Sequence, residues 1–281
     1  MRVVEIRELQ GKDTFVVKDI GLYPVVGVES GDVPAMGLAG ARLLTETSRV
    51  TGLGDELSRV LSAWRRSWAV HDPGKIILDL AVCVALGGRC LSDLSLLRCG
   101  KEVFGPVASD PTVSRLVGTL ADHVEAVEAA VNRAPRTVRQ RVWDLAGEHS
   151  PTAGISAECP LVIDVDATLV NVHSEKEGAA PTFEKGFGYH PLTAWFDHGP
   201  GQEAGECAAI MLRPGNAGSN TAADHVEIIR RALDQAGLGP RSGRAVIAHH
   251  ARRTVLRYKA GHPWISLLLD GLRHLQALPA P

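Results

Sequence analysis

The sequence predicts an α/β protein in two parts, helical first and strand-rich after, and three observations predict it. Residues 37–146 carry apolar side chains at helical spacing behind capped starts. Residues 148–160 are rich in Ser, Pro, Thr, Gly and Ala and read as a linker. After them the pattern changes to β-branched runs, beginning with Leu161–Val172. A chain of 281 residues has room for one large domain or two ordinary ones, and 45% hydrophobic residues suffice for a core. The parts in order are an N-terminal segment 1–36, a helical region 37–147, the linker 148–160, a strand-rich region 161–237 and a basic tail 238–281.

Residues 1–30 mix short β-like runs, Phe15–Val17 and Tyr23–Val28, with Gly and Asp turns. Gly37–Leu61 has helical spacing, with Leu38, Ala41 and Leu44 on one face and a break near Gly52-Leu53-Gly54. His71-Asp72-Pro73-Gly74 is a helix start, with Asp72 as N-cap and Pro73 as the first helical residue. The helix it opens runs Lys75–Leu86 with Ile76, Ile77, Leu80 and Val84 as its stripe, and Gly87-Gly88 ends it. A short helix follows over Leu91–Arg98. Ser109-Asp110-Pro111-Thr112 opens another, running to about Asn132, and Pro135 starts a further one bearing Arg136, Arg139 and Arg141. Short helices joined by tight turns make a candidate helix-turn-helix, in which the helix after Asp110 would enter a DNA groove with Thr112, Ser114 and Arg115 in its first turns. The competing reading is an ordinary helical domain. In the second part, Leu161–Val172, Gly188–Phe196 and Cys207–Leu212 read as strands, Pro214–Asn220 as a loop, and Thr221–Leu233 as a helix.

The net charge of −2 gives no global signal for nucleic acid. The charge is uneven, however: from Ile228 to Pro281 nine Lys or Arg face only Asp234 and Asp270. The five cysteines lack CxxC spacing, which argues against a zinc knuckle. Their odd number and the lack of a secretory leader predict reduced thiols in a cytoplasm. No apolar run is long enough to span a membrane.

The chemistry-bearing stretch is Leu161-Val162-Ile163-Asp164-Val165-Asp166-Ala167-Thr168-Leu169-Val170. A strand alternates faces, so Asp164, Asp166 and Thr168 share one side and Ile163, Val165, Ala167 and Leu169 the other. Two acids on one face of an apolar strand are costly to bury unpaired, and a divalent cation is the simplest compensation. A solvated edge strand is the plain alternative. Two chemistries fit the motif. One is a two-metal nuclease or strand transferase, which needs a further acid from elsewhere. The other is a phosphatase of the haloacid dehalogenase type, with Asp164 as nucleophile and Asp166 as acid/base.

Longer words separate them. They are His173–Phe183, Gly188-Tyr189-His190-Pro191-Leu192 and Leu212–Thr221, with His71–Lys75, Ala85–Gly88, Leu91-Ser92-Asp93 and Phe104–Val113 upstream. Together, over roughly residues 35–235, the chain resembles the DDE transposases of bacterial insertion sequences. The resemblance implies a helical DNA-binding part followed by an RNase H-like mixed sheet, here incomplete. It implies Mg²⁺ (Mn²⁺ as a substitute), transposon ends and target DNA as partners, a homo-oligomer, and a bacterial cytoplasm at the nucleoid. The first acid of the family's triad carries over to Asp166, with Asp164 as the alternative, both as metal ligands. Lys185 and Arg213 join Thr112, Ser114 and Arg115 as DNA-contact candidates; Tyr189 and His190 are weighed against an exposed hairpin.

The likeness stops near Gly237. Arg244–His250 stands where a strand ending in Asp is expected, and Glu227 is the last Glu. Asp234 and Asp270 do not fit the missing positions. The sequence therefore predicts a truncated or frameshifted transposase, inactive alone, whose remaining capacity is DNA binding or inhibition by occupying ends.

Overall fold

The computed structural model describes Tyr23, residues 40–156, 159–199, 205–218 and 221–238, and the backbone of strands 243–250 and 253–260. The β-like runs expected at Phe15–Val17 and in 24–28 lie outside the described residues. The chain divides into two compact units, Met1–Val138 and Arg139–Pro281.

The first unit is helical. Helix α1 (Ala41–Thr51) ends at Gly52, and α2 (Leu53–Val60) follows directly. The α1 face turned inward is small and polar, Ala41, Thr45 and Ser48; Leu43 and Leu44 face outward, contrary to the expected apolar stripe. Helix α3 (Pro73–Ala85) starts as the sequence dictates: the Asp72 carboxylate accepts from the backbone N–H of Gly74 and Lys75 at 2.8 and 3.2 Å. Its buried set is Ile76, Leu78, Val82 and Cys83, while Val84 is exposed. Gly74 is required where α3 meets α2, since a Cβ there would lie 2.3 Å from Ser58 N. The expected Leu91–Arg98 helix is a 3₁₀ turn, Leu91–Leu94, running into α4 (Ser95–Cys99), followed by α5 (Lys101–Phe104).

Helix α6 (Asp110–Ala121) begins where expected but does not reach Asn132. The chain breaks at Asp122-His123, and α7 (Val124–Ala146) runs straight through Pro135, which was expected to start a helix. A proline removes one helical hydrogen bond but does not forbid continuation when neighbouring turns are packed, and here Ala130, Ala134 and Val138 are buried around it. Leu57, Leu61, Ile76, Leu94, Leu97 and Phe104 form the centre of the first core.

The second unit is a sheet with a helix on one face. Its strands are β1 (Leu161–Ala167), β2 (Val170–Asn171), β3 (Ala180–Pro181), β4 (Phe187–Tyr189), β5 (Leu192–Phe196), β6 (Glu206–Met211), β7 (Gly243–His250) and β8 (Arg253–Ala260). Five form one sheet in the order β6-β5-β1-β8-β7, and three form a small sheet, β2-β4-β3. Two expected strands are therefore each split. Leu161–Val172 breaks at Thr168-Leu169, and Gly188–Phe196 breaks at His190-Pro191, so that each passes from one sheet to the other. Proline interrupts a ladder because it lacks an N–H.

Among the described residues every pairing is antiparallel, which corrects the expected mixed sheet. The reason lies in residues 243–260, set apart as a tail by composition. They form a hairpin whose β8 lies against β1, so β7 runs in the direction of β1 but is separated from it. Helix α8 (Ala222–Gln235) covers the sheet with Ile228, Ile229, Ala232 and Leu233 against Ile163, Val165, Ala194 and Phe196. Each large apolar side chain fully buried there contributes about 1.5–3 kcal/mol. Arg139, on the last part of α7, is buried in this unit. Its guanidinium donates to Glu206 and Gln235 at 2.5 Å each and to the Cys207 carbonyl at 2.9 Å. The five cysteines are free thiols.

Candidate functional site

The burial of β1 alternates as its sequence requires. Leu161, Ile163 and Val165 are buried toward α8, and Val162, Asp164 and Asp166 are half-buried on the other face. Asp164 and Asp166 thus share one face of the central strand, roughly 7 Å apart at Cα. Their neighbours across the β5 ladder are Trp195 and Thr193. The Trp195 indole N–H donates to Thr193 Oγ1 at 2.9 Å, and Thr193 Oγ1 donates to the Asp166 carbonyl at 3.1 Å. Thr168 Oγ1 reaches the Asp166 carboxylate at 3.4 Å. On the other side β8 pairs with β1 only as far as Val165, leaving Asp166 beyond the end of that ladder.

The long words downstream meet at this end of β1. Thr168 N–H donates to the Pro191 carbonyl at 3.1 Å. His190 and Arg213 exchange two bonds: His190 N–H to the Arg213 carbonyl at 3.1 Å, and Arg213 Nε to the His190 carbonyl at 3.0 Å. His190 Nδ1 lies 2.7 Å from the Ala217 carbonyl. Arg213 Nη1 donates to the Gly218 carbonyl and to Asp224 on α8, both at 2.9 Å. Gly215 packs against the Gly188 backbone; a Cβ on Gly215 would lie 2.4 Å from the Gly188 carbonyl oxygen. The segments 188–192, 212–218 and the start of α8 are therefore one clasp beside Asp166.

The predicted site residues are placed as follows. Asp164 and Asp166 stand together. Arg213 is buried and turned inward, holding the clasp. His190 is buried as well, not part of an exposed hairpin. Lys185 is exposed at the β3–β4 turn, with a left-handed backbone (φ 62°) and its N–H bonded to the Thr182 carbonyl at 3.1 Å. In the first unit, Thr112 and Arg115 share a face of α6 and are bonded at 3.1 Å. Both line a cleft with the Trp64–Ile76 segment, whereas exposed Ser114 does not. Sequence reasoning missed Thr193 and Trp195, although their spacing of two was the available signal. It also missed Asp224 as the Arg213 partner, which no local pattern marks.

Asp164 and Asp166 suit one Mg²⁺, an ion held by one or two carboxylates with water completing its shell. Among the described residues no group of three or more His, Cys, Asp or Glu is gathered, so the strand face shows two carboxylates there.

In comparison with known proteins, the family model described as Transposase DDE domain group 1 matches residues 34–237. No curated protein and no solved structure matches.

Proposed function

Because the chain belongs to the DDE transposase family, we propose that it derives from a bacterial insertion-sequence transposase that cuts transposon ends and joins them to target DNA. In this reading Asp166 is the first acid of the catalytic set and Asp164 its neighbour. The observation that carries the reading is their placement on one face of the central strand, next to the end where the clasp joins Ala167 and Thr168. A bound Mg²⁺ would supply Lewis-acid stabilisation of charge on phosphate oxygens. Asp166 and Asp164 would hold it, Thr168 and Thr193 would fix the position of Asp166, and Arg213 would position the clasp. The helical part would grip DNA through Thr112 and Arg115.

This chain is read as incomplete and inactive alone. Two-metal chemistry needs further acids, and residues 238–281 contain only Asp270. A frameshift accounts for the acid-poor, basic composition beyond Gly237. Translating the other two frames after that codon should yield a strand ending in Asp and a later Glu; neither appearing would refute the frameshift.

The direct experiment incubates the full chain with duplexes carrying the element's ends and Mg²⁺. Binding without nicking or joining is expected. Nicking that depends on Mg²⁺ would overturn the inactivity, and no binding even at low salt would overturn the DNA reading. Mn²⁺ binding followed by electron paramagnetic resonance should show one weak site that Asp166→Asn removes; an unchanged signal would remove Asp166 from the metal.

A further inference from the structure

The first unit contains a cleft of about 420 Å³ between the segment leading into α3 and the exposed side of α6. That volume lies within the roughly 300–1,000 Å³ usual for small-molecule sites. Trp64, Ile76 and Leu116 give it apolar walls. Arg66 and Arg115 add positive charge, Thr112 and Thr119 add hydroxyls, and among the described residues no Asp or Glu lines it. The segment is fixed in place. Asp72 caps α3, accepts from Ser58 Oγ at 2.7 Å and pairs with Arg65 at 3.2 Å. Yet the same segment holds Trp68 at 78% and Val70 at 89% exposure. Both are large apolar side chains standing in water, and Val70 lines the cleft with Arg66 and Arg115.

Resting on the DNA reading above, we infer that this cleft receives one unpaired nucleotide of the bound DNA. The chemistry is that of a nucleotide: an aromatic base for the apolar walls and Trp64, exocyclic groups for the threonine hydroxyls, and a phosphate for Arg66 and Arg115. A backbone phosphate of an intact duplex uses only the arginines and leaves a concave apolar space unfilled. An extrahelical base fills it. Trp68 and Val70 then have a role as the wedge that replaces the base in its stack. The two arginines, with no carboxylate among the described lining residues, agree with a polyanion and disagree with a cationic guest.

The test measures anisotropy of a labelled oligothymidylate of about twelve nucleotides, a length typical of single-strand sites, and of a blunt duplex, with the full chain at low salt. Arg66→Gln and Thr119→Phe, which fills the cleft, should each weaken oligothymidylate binding about tenfold, the equivalent of losing one stacked base. Duplex affinity should stay within about twofold, and Thr119→Val should behave as wild type. If Thr119→Phe lacks a cooperative melt, Arg66→Gln carries the test alone with the same expectation. Variants that bind oligothymidylate as wild type does, or that lose both ligands together, overturn the inference. Thymidine monophosphate competing as strongly as the oligonucleotide would assign the cleft to a free nucleotide and also overturn it. A wild-type chain that binds duplex but no oligothymidylate refutes the cleft and leaves the DNA reading standing; one that binds neither refutes both.

Discussion

Lys75 and Asp79 are a buried ion pair one helical turn apart, with Nζ to Oδ1 at 2.5 Å. Tyr23 donates its hydroxyl to the same carboxylate oxygen at 2.9 Å, and Lys75 also donates to the Phe104 carbonyl. Burial pushes the Asp79 carboxyl up and the Lys75 ammonium down, and it raises the Tyr23 phenol. Removing one member leaves the other stranded. Lys75→Met should cost about 3–5 kcal/mol in urea unfolding, and Lys75→Met with Asp79→Leu should recover most of it. A double variant as unstable as the single would show that the loss comes from packing. At the surface, Glu46 is held between Arg49 and Arg42, whose hydrogen bonds lower its carboxyl to about 2. A lowered folded pKa means that this contribution is present above the usual Glu range and is lost as pH falls through about 2. Carbon-detected titration of Glu46 should find that low midpoint; one in the ordinary range would mean that the arginines do not hold it.

Among the elements, the close crossing of α2 and α3 depends on Gly74. Gly74→Ala should destabilise the helical unit by about 1–3 kcal/mol through overpacking against backbone that cannot yield. Thermal unfolding unchanged from wild type would mean that the helices separate at little cost. The start of α3 was legible because Asp72 and Pro73 are a local signal, and so was the alternation of β1. The break at Thr168-Leu169 was not, since Leu169 and Val170 continue the apolar pattern and only pairing with β4 diverts the chain. The end of α6 at Ala121 was hidden in the same way, because the apolar stripe continues across Asp122-His123 into α7. The carboxylate pair could be read from spacing two. The cleft joins residues about forty positions apart, and such a meeting leaves no local mark.

For the whole molecule, a net charge of −2 conceals a strongly basic C-terminal stretch. Duplex binding should therefore fall steeply and linearly on a log–log plot against salt, as counterion release requires. Salt-independent affinity would point away from phosphate contacts. The sheet order carries a further consequence. β1 is central, yet one of its two neighbours, β8, is encoded about ninety residues later. At the usual rate of about 5–20 residues per second, a ribosome needs roughly 5–20 s to make that neighbour. For that interval the apolar run Leu161–Val165 has an open hydrogen-bonding edge on the nascent chain. Slower translation lengthens that exposure. Slowing codons placed between α8 and β7 should send more of this protein into inclusion bodies, while the same codons after β8 should not.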